Sequence, residues 1–180
     1  LADKGKLCKR TVVATVMSNM GLEVALRNIG IRLVRTAVGD RYVVERMTQD
    51  QLNLGGEQSG HIVFMDHSTT GDGILSALQV LSVMLETEKP LSELKAVMER
   101  FPQTLKNVRV AQKRDIQEIP EIMTQVAKVE QLLGSDGRCL IRPSGTEPVI
   151  RIMLEGRNEP LIHQLAEELA EFIGKHFDNA

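Results

Sequence analysis

Seven consecutive residues near the start, TVVATVM (11–17), are β-branched or apolar and carry no charge. A run of that length and composition reads as a buried strand. Ser18-Asn19 then offers an N-cap for a helix carrying Met20, Val24, Leu26 and Ile29, and Gly30 ends it. Ile31–Thr36 reads as a second strand, Gly39-Asp40 as a turn, and Tyr42–Met47 as a second short helix. Strand, helix, strand, helix constrains this part of the chain to an α/β layered sheet.

Two short apolar arms, Leu52–Leu54 and Ile62–Met65, flank the polar stretch GGEQSGH (55–61), which is expected to be a loop between strands. In the helix expected at Ile74–Leu85 only Ser76, Gln79 and Ser82 are polar, so it is expected to be a central core helix, buried on most sides. Pro90 is expected to open a further helix with Leu91, Leu94, Val97 or Met98, and Phe101 on one stripe. Beyond Pro102 the pattern changes. Asn107–Ala111 alternates as a strand, Pro120 opens a helix with Ile122, Val126, Val129 and Leu133 on one face, and strands at Cys139–Arg142 and Val149–Leu154 precede a last amphipathic helix. That order describes a small α+β domain whose helices cover one face of an antiparallel sheet. The expected division is 1–105 and 106–180.

Composition removes some classes of function. With 22 Lys+Arg against 24 Asp+Glu, no Trp, one Tyr and four Phe, the chain lacks the basic excess and stacking platforms of a nucleic-acid binder. No apolar run approaches a membrane span, so no membrane partner is expected and the setting is read as cytoplasmic. Cys8 and Cys139 have no Cys or His at ligand spacing and are expected to be reduced structural thiols.

Two loops carry chemistry. Arg142-Pro143-Ser144-Gly145-Thr146-Glu147-Pro148 sets a guanidinium, two hydroxyls and a glycine amide on a turn held by proline at both ends. A phosphate dianion is bound by such a set, and Arg151 could add a second guanidinium. The competing reading is a hairpin loop whose Ser and Thr bond their own backbone. In GGEQSGH, Glu57 and Ser59 suit neighbouring sugar hydroxyls and His61 suits proton transfer near neutral pH, against the plainer reading of a solvated turn. Asp40 and Arg41 form a charged turn, and Asp72 in TTGDG is expected to cap the following helix rather than leave its amides for an anion.

With both loops in hand the sequence resembles the α-D-phosphohexomutase family. The matching segments are MSNMGLE (17–23), VGDRYV (38–43), GGEQSGH (55–61), TTGDG (69–73), FPQ (101–103) and RPSGTEPVIR (142–151), in family order over nearly the whole chain. The resemblance implies a four-domain isomerase that interconverts glucosamine 6-phosphate and glucosamine 1-phosphate on the route to UDP-N-acetylglucosamine and peptidoglycan. A phosphoserine would phosphorylate the sugar phosphate, a hexosamine bisphosphate would turn over in the cleft, and the other phosphate would return to serine. The family's serine loop and its Mg²⁺-binding D-G-D-G-D-R loop do not occur in this sequence. The chain is therefore expected to be the third and fourth domains only, inactive alone, with the N-terminal domains of the same polypeptide as its partner.

By the same resemblance Glu57 and Ser59 contact sugar hydroxyls, His61 assists proton transfer, and Asp40 and Arg41 line the sugar site. Arg142, Ser144, Gly145, Thr146 and, less directly, Arg151 form the phosphate clasp. Rival readings are a stand-alone sugar-phosphate-binding module and an enzyme for mannose or glucose phosphates. The opening LADKGKL reads as the tail of a helix whose beginning is absent, which would expose apolar surface and favour a homodimer.

Overall fold

The computed structural model describes residues 1–110, 116–144 and 147–178 and divides into two compact units, Leu1–Arg100 and Phe101–Ala180. The division falls before the expected 105, because the strand Gln103–Arg109 pairs along its whole length within the second unit and 105 would cut it.

The first unit is built on a four-stranded mixed sheet. β1 (Thr11–Thr15) leads into α1 (Met20–Asn28), whose N-cap is Asn19 accepting from the Gly21 N–H. β2 (Arg32–Thr36), α2 (Asp40–Asp50), β3 (Leu54–Gly56) and β4 (Ile62–Phe64) follow. The sheet order is β2-β1-β3-β4, with β1 parallel to both neighbours and β4 antiparallel to β3. The chain thus crosses from β1 to one side and returns past it to the other. Right-handed crossovers in opposite directions put α1 and α2 on opposite faces of the sheet. On the α2 side the core consists of Val13, Val43, Met47, Leu52 and Val63. A Cβ on Gly55 would lie 2.6 Å from the Met47 sulfur and 2.8 Å from Val43, so glycine there lets α2 settle on the sheet.

Two expectations for the first unit fail. α3 (Gly73–Thr87) forms, capped by Asp72 accepting from the Ile74 and Leu75 amides at 2.9 Å each, but no residue in it is buried. An apolar pattern on nearly all sides implies burial only when something covers it, and this unit covers Leu75, Ser76, Gln79 and Met84 only in part. The helix expected from Pro90 is a single α turn, α4 (Leu91–Leu94), followed by a 3₁₀ turn, because Met98 is already extended.

The second unit is a three-stranded antiparallel sheet in the order β5-β7-β6, formed by β5 (Gln103–Arg109), β6 (Gly137–Pro143) and β7 (Val149–Gly156). α5 (Pro120–Leu133) and α6 (Glu159–Asp178) pack on one face. Ile122, Val126, Val129 and Leu133 of α5 meet Ile150, Ile152 and Leu154 of β7 and Leu165, Leu169 and Ile173 of α6 in one core. Alternation puts the odd-numbered residues of β7 on the helix-free face. There Glu155 is fully buried, paired with the Arg138 Nε at 2.7 Å and accepting from the Gln103 amide at 2.7 Å, which ties all three strands together. Among the described residues no helix is long and apolar enough to cross a membrane.

Candidate functional site

In open α/β sheets, ligands lie beyond the carboxyl ends of the strands where the order of connection reverses. In the first unit that place is the shared end of β1 and β3. Thr15, the last residue of β1, is buried, and its hydroxyl donates to the Gln58 side-chain oxygen at 3.0 Å, joining the two strand ends. Glu57 follows β3 directly; its Oε1 accepts from the Gly39 amide at 2.9 Å, which draws the loop before α2 against GGEQSGH. The hairpin is closed by the Glu57 N–H donating to the His61 carbonyl at 2.9 Å and by the Gly60 N–H donating to Glu57 at 3.1 Å.

The structure therefore brings together five of the expected residues. Glu57 and Asp40 are half-buried; Ser59, His61 and Arg41 are exposed. Asp40 opens α2, where a carboxylate is favoured by the helix dipole, and its Oδ1 accepts from the Arg41 N–H at 2.7 Å. Arg41 places its guanidinium over the Tyr42 ring, 5.6 Å from the centroid. Glu57 keeps its second oxygen for a further donor, while Ser59 and His61 present their side chains to solvent.

Three supporting residues escaped the sequence reading. Gln58 anchors the loop to β1. Arg35 of β2 donates to the carbonyls of Thr15 and Ser18 at 3.2 and 2.8 Å and pairs with Glu23 at 3.0 Å, fixing the turn after β1. Gly71 lies under the His61 ring, so close that a Cβ there would stand 1.9 Å from Cδ2. None of these contacts has a signal in local spacing, because each joins segments that meet only in the fold.

In the second unit, Arg142 on β6 and Arg151 on β7 are direct cross-strand partners, with Asn107 of β5 opposite Arg151 on its other side. Directly opposed residues share a face, so both guanidiniums leave the helix-free face at one level. Glu147 Oε2 lies 3.2 Å from Arg151, yet among the described residues the buried Arg151 Nε finds no hydrogen-bond partner. A buried donor of that kind costs about 1–3 kcal/mol unless something accepts from it. Ser144 is buried, with its amide on the Val149 carbonyl at 2.8 Å and its hydroxyl oxygen accepting from the Glu147 N–H at 3.3 Å. To that extent the hairpin-loop reading also holds for Ser144. Gly145 and Thr146 lie outside the described residues. Arg109 ends β5 on the same face, opposite Val149, and adds a third cation at this end of the sheet.

Among the described residues no group of three or more His, Cys, Asp or Glu is arranged to hold a metal ion. The guanidiniums and the hydroxyl at the β6–β7 hairpin suit an anion, and the carboxylate and hydroxyl of GGEQSGH in the first unit suit a polyhydroxylated ligand.

Comparison with known proteins agrees with this architecture. Residues 1–101 match the model of the phosphoglucomutase/phosphomannomutase alpha/beta/alpha domain III, and residues 105–172 match that of the C-terminal domain of the same family. The phosphoglucosamine mutase of Syntrophotalea carbinolica is 59% identical over 176 residues, covering 98% of this chain and 38% of that protein. The phosphoglucosamine mutase of Geotalea daltonii is 56% identical, covering 98% of this chain and 39% of its own length. The chain thus spans well under half the length of the curated relatives it matches. Among solved structures, the N-acetylphosphoglucosamine mutase of Aspergillus fumigatus superposes with a TM-score of 0.80 at 18% identity, over 96% of this chain and 39% of that one. The fungal enzyme in complex with GlcNAc-6P and magnesium gives 0.75 at 20% identity, over 94% and 42%. By both of its matched segments, the chain belongs to the phosphoglucomutase/phosphomannomutase family.

Proposed function

We propose that this chain is the sugar- and phosphate-positioning half of a phosphoglucosamine mutase. The observation that carries the reading is the facing pair Arg142 and Arg151, two guanidiniums at one register, with a buried Arg151 Nε that has no partner among the described residues. Identity of 55–59% to proteins of that name supports the hexosamine over other sugars.

In the longer polypeptide, a phosphoserine of another domain gives its phosphoryl group to the free hydroxyl of glucosamine 6-phosphate. The bisphosphate turns over in the cleft, and the other phosphoryl group returns to the serine. Phosphoryl transfer asks the protein mainly to position groups and stabilise charge. Arg142, Arg151, Ser144, Gly145 and Thr146 clasp the phosphate that is not reacting. Glu57, through the oxygen not held by Gly39, and Ser59 bind sugar hydroxyls; Asp40 and Arg41 line the same pocket. His61 takes up or returns the proton of the reacting hydroxyl. Mg²⁺ bound to the other domains would supply charge stabilisation to the transferring group. The free thiols Cys8 and Cys139 fit a reducing, cytoplasmic setting.

A coupled assay for glucosamine 1-phosphate tests the reading. The full-length polypeptide is expected to turn over glucosamine 6-phosphate and the 180-residue chain to bind it without turnover. Turnover by the short chain would overturn the division of labour, and a preference of the full-length enzyme for glucose or mannose phosphate would overturn the sugar.

A further inference from the structure

The first six residues carry the hydrogen bonds of a helix C-terminus. The Lys6 N–H donates to the Leu1 carbonyl at 2.9 Å, enclosing a bond from the Gly5 N–H to the Ala2 carbonyl at 3.0 Å. Gly5 between them has φ +65°. A six-to-one bond around a five-to-two bond, with a left-handed glycine at the penultimate position, is the Schellman ending of an α-helix. Leu1, Ala2 and Asp3 then occupy a helix's last turn, and Gly5 is the first residue beyond its C-cap.

Beside this segment α3 presents an apolar stripe that the described residues leave exposed. Ile74, Leu78, Leu81 and Leu85 recur at i, i+4, i+7 and i+11, and are 78%, 58%, 51% and 80% exposed. Of the four residues that are partly covered, Leu75, Ser76, Gln79 and Met84, two are polar, whereas all four of the exposed stripe are apolar. The helix therefore turns its more apolar side outward, the reverse of what folding of an isolated unit favours. The two features adjoin: Lys4 pairs with Glu86 in the last turn of α3.

We propose that in the longer polypeptide this stripe is covered by an amphipathic α-helix that runs directly into Leu1, of which Leu1–Lys4 are the final turn. A helix that ends beside Glu86 and lies along the stripe runs back toward Ile74, parallel to α3. Spanning 74 to 85 at 1.5 Å per residue takes about 16 Å, or roughly eleven residues. Relatives more than twice as long supply that length, and the segments matched here are a third domain and a C-terminal one, which places the additional chain before Leu1. The proposed function is not needed for this inference, since the test reads packing and not catalysis.

Thiol labelling of Leu78→Cys in a Cys8→Ser background, followed by mass spectrometry of the 73–87 peptide, compares the 180-residue chain with the full-length polypeptide. Labelling is expected to be at least tenfold slower in the full-length protein, at a concentration where both sediment as monomers. Equal labelling rates would overturn the proposal. So would protection that appears in the short chain on dimerisation and is lost with Leu81→Asp, because a second copy would then be the occupant. As a second readout, Leu81→Asp should lower the melting temperature of the full-length protein by several degrees and leave that of the short chain unchanged; equal effects on both would contradict the covering helix.

Discussion

Arg142 and Arg151 stand opposite each other across β6 and β7, so that two like charges occupy one cross-strand position. Such a pair is unfavourable by a few tenths to about 1 kcal/mol without a counter-ion, and Glu147 answers Arg151 only from an exposed position. Arg142→Ala is therefore expected to leave the ligand-free protein as stable as before or slightly more so. A urea melt that shows marked destabilisation would mean that Arg142 holds the hairpin together and is not kept for a ligand.

Gly71 and His61 are in backbone-to-ring contact. Because the imidazole is exposed and can swing aside, Gly71→Ala should change the position of His61 and not the stability of the fold. The imidazole carbon and proton resonances of His61 are expected to shift in the variant, with the melting temperature changed little; superimposable resonances would show that the ring does not rest on Gly71.

Glu155 is the buried charge that unites β5, β6 and β7. Glu155→Ala leaves the Arg138 guanidinium and the Gln103 amide without that acceptor, and removal of one partner of a buried pair costs about 3–5 kcal/mol. That is a large part of the roughly 5–15 kcal/mol that holds an ordinary domain. Denaturant melts of the second unit should show the loss, and a change below about 1 kcal/mol would mean that water or a neighbouring group replaces the carboxylate.

Burial pushes the Cys139 thiol up to about 12, and the charge of Glu130 adds to the shift, whereas Cys8 is exposed. A raised pKa keeps Cys139 protonated, hence unreactive, throughout the range from pH 7 to 9. Iodoacetamide is expected to modify Cys8 alone in that range. Equal modification of Cys139 in the folded protein would contradict its burial.

Local chemistry made much of this legible. TVVATVM with Asn19 after it gave β1 and the cap of α1; Ile122, Val126, Val129 and Leu133 gave the buried face of α5; and Asp72 was readable as a cap. The RPSGTEPVIR segment offered both arginines, though not that the hairpin register sets them face to face. Periodicity misled at α3, since a helix apolar on nearly all sides states that it will be covered and not by what. Thr15 with Gln58, Arg35 with the turn after β1, and Gly71 with His61 were invisible because each contact joins segments 17 to 43 residues or, for the last pair, about ten residues apart, with no shared periodic pattern. Glu155 was hidden for a related reason: a charged residue in a strand reads as solvent-facing until its two cross-strand neighbours are known.

We propose that this chain holds the phosphate of a hexosamine phosphate through Arg142. Titration calorimetry of glucosamine 6-phosphate into the 180-residue chain and its Arg142→Ala variant tests it most directly. A charge-assisted hydrogen bond contributes about 1.5–3 kcal/mol, so the variant should bind about ten- to hundredfold more weakly, with circular dichroism unchanged and glucosamine itself indifferent to the substitution. Equal affinities of the two proteins for the sugar phosphate would contradict the account.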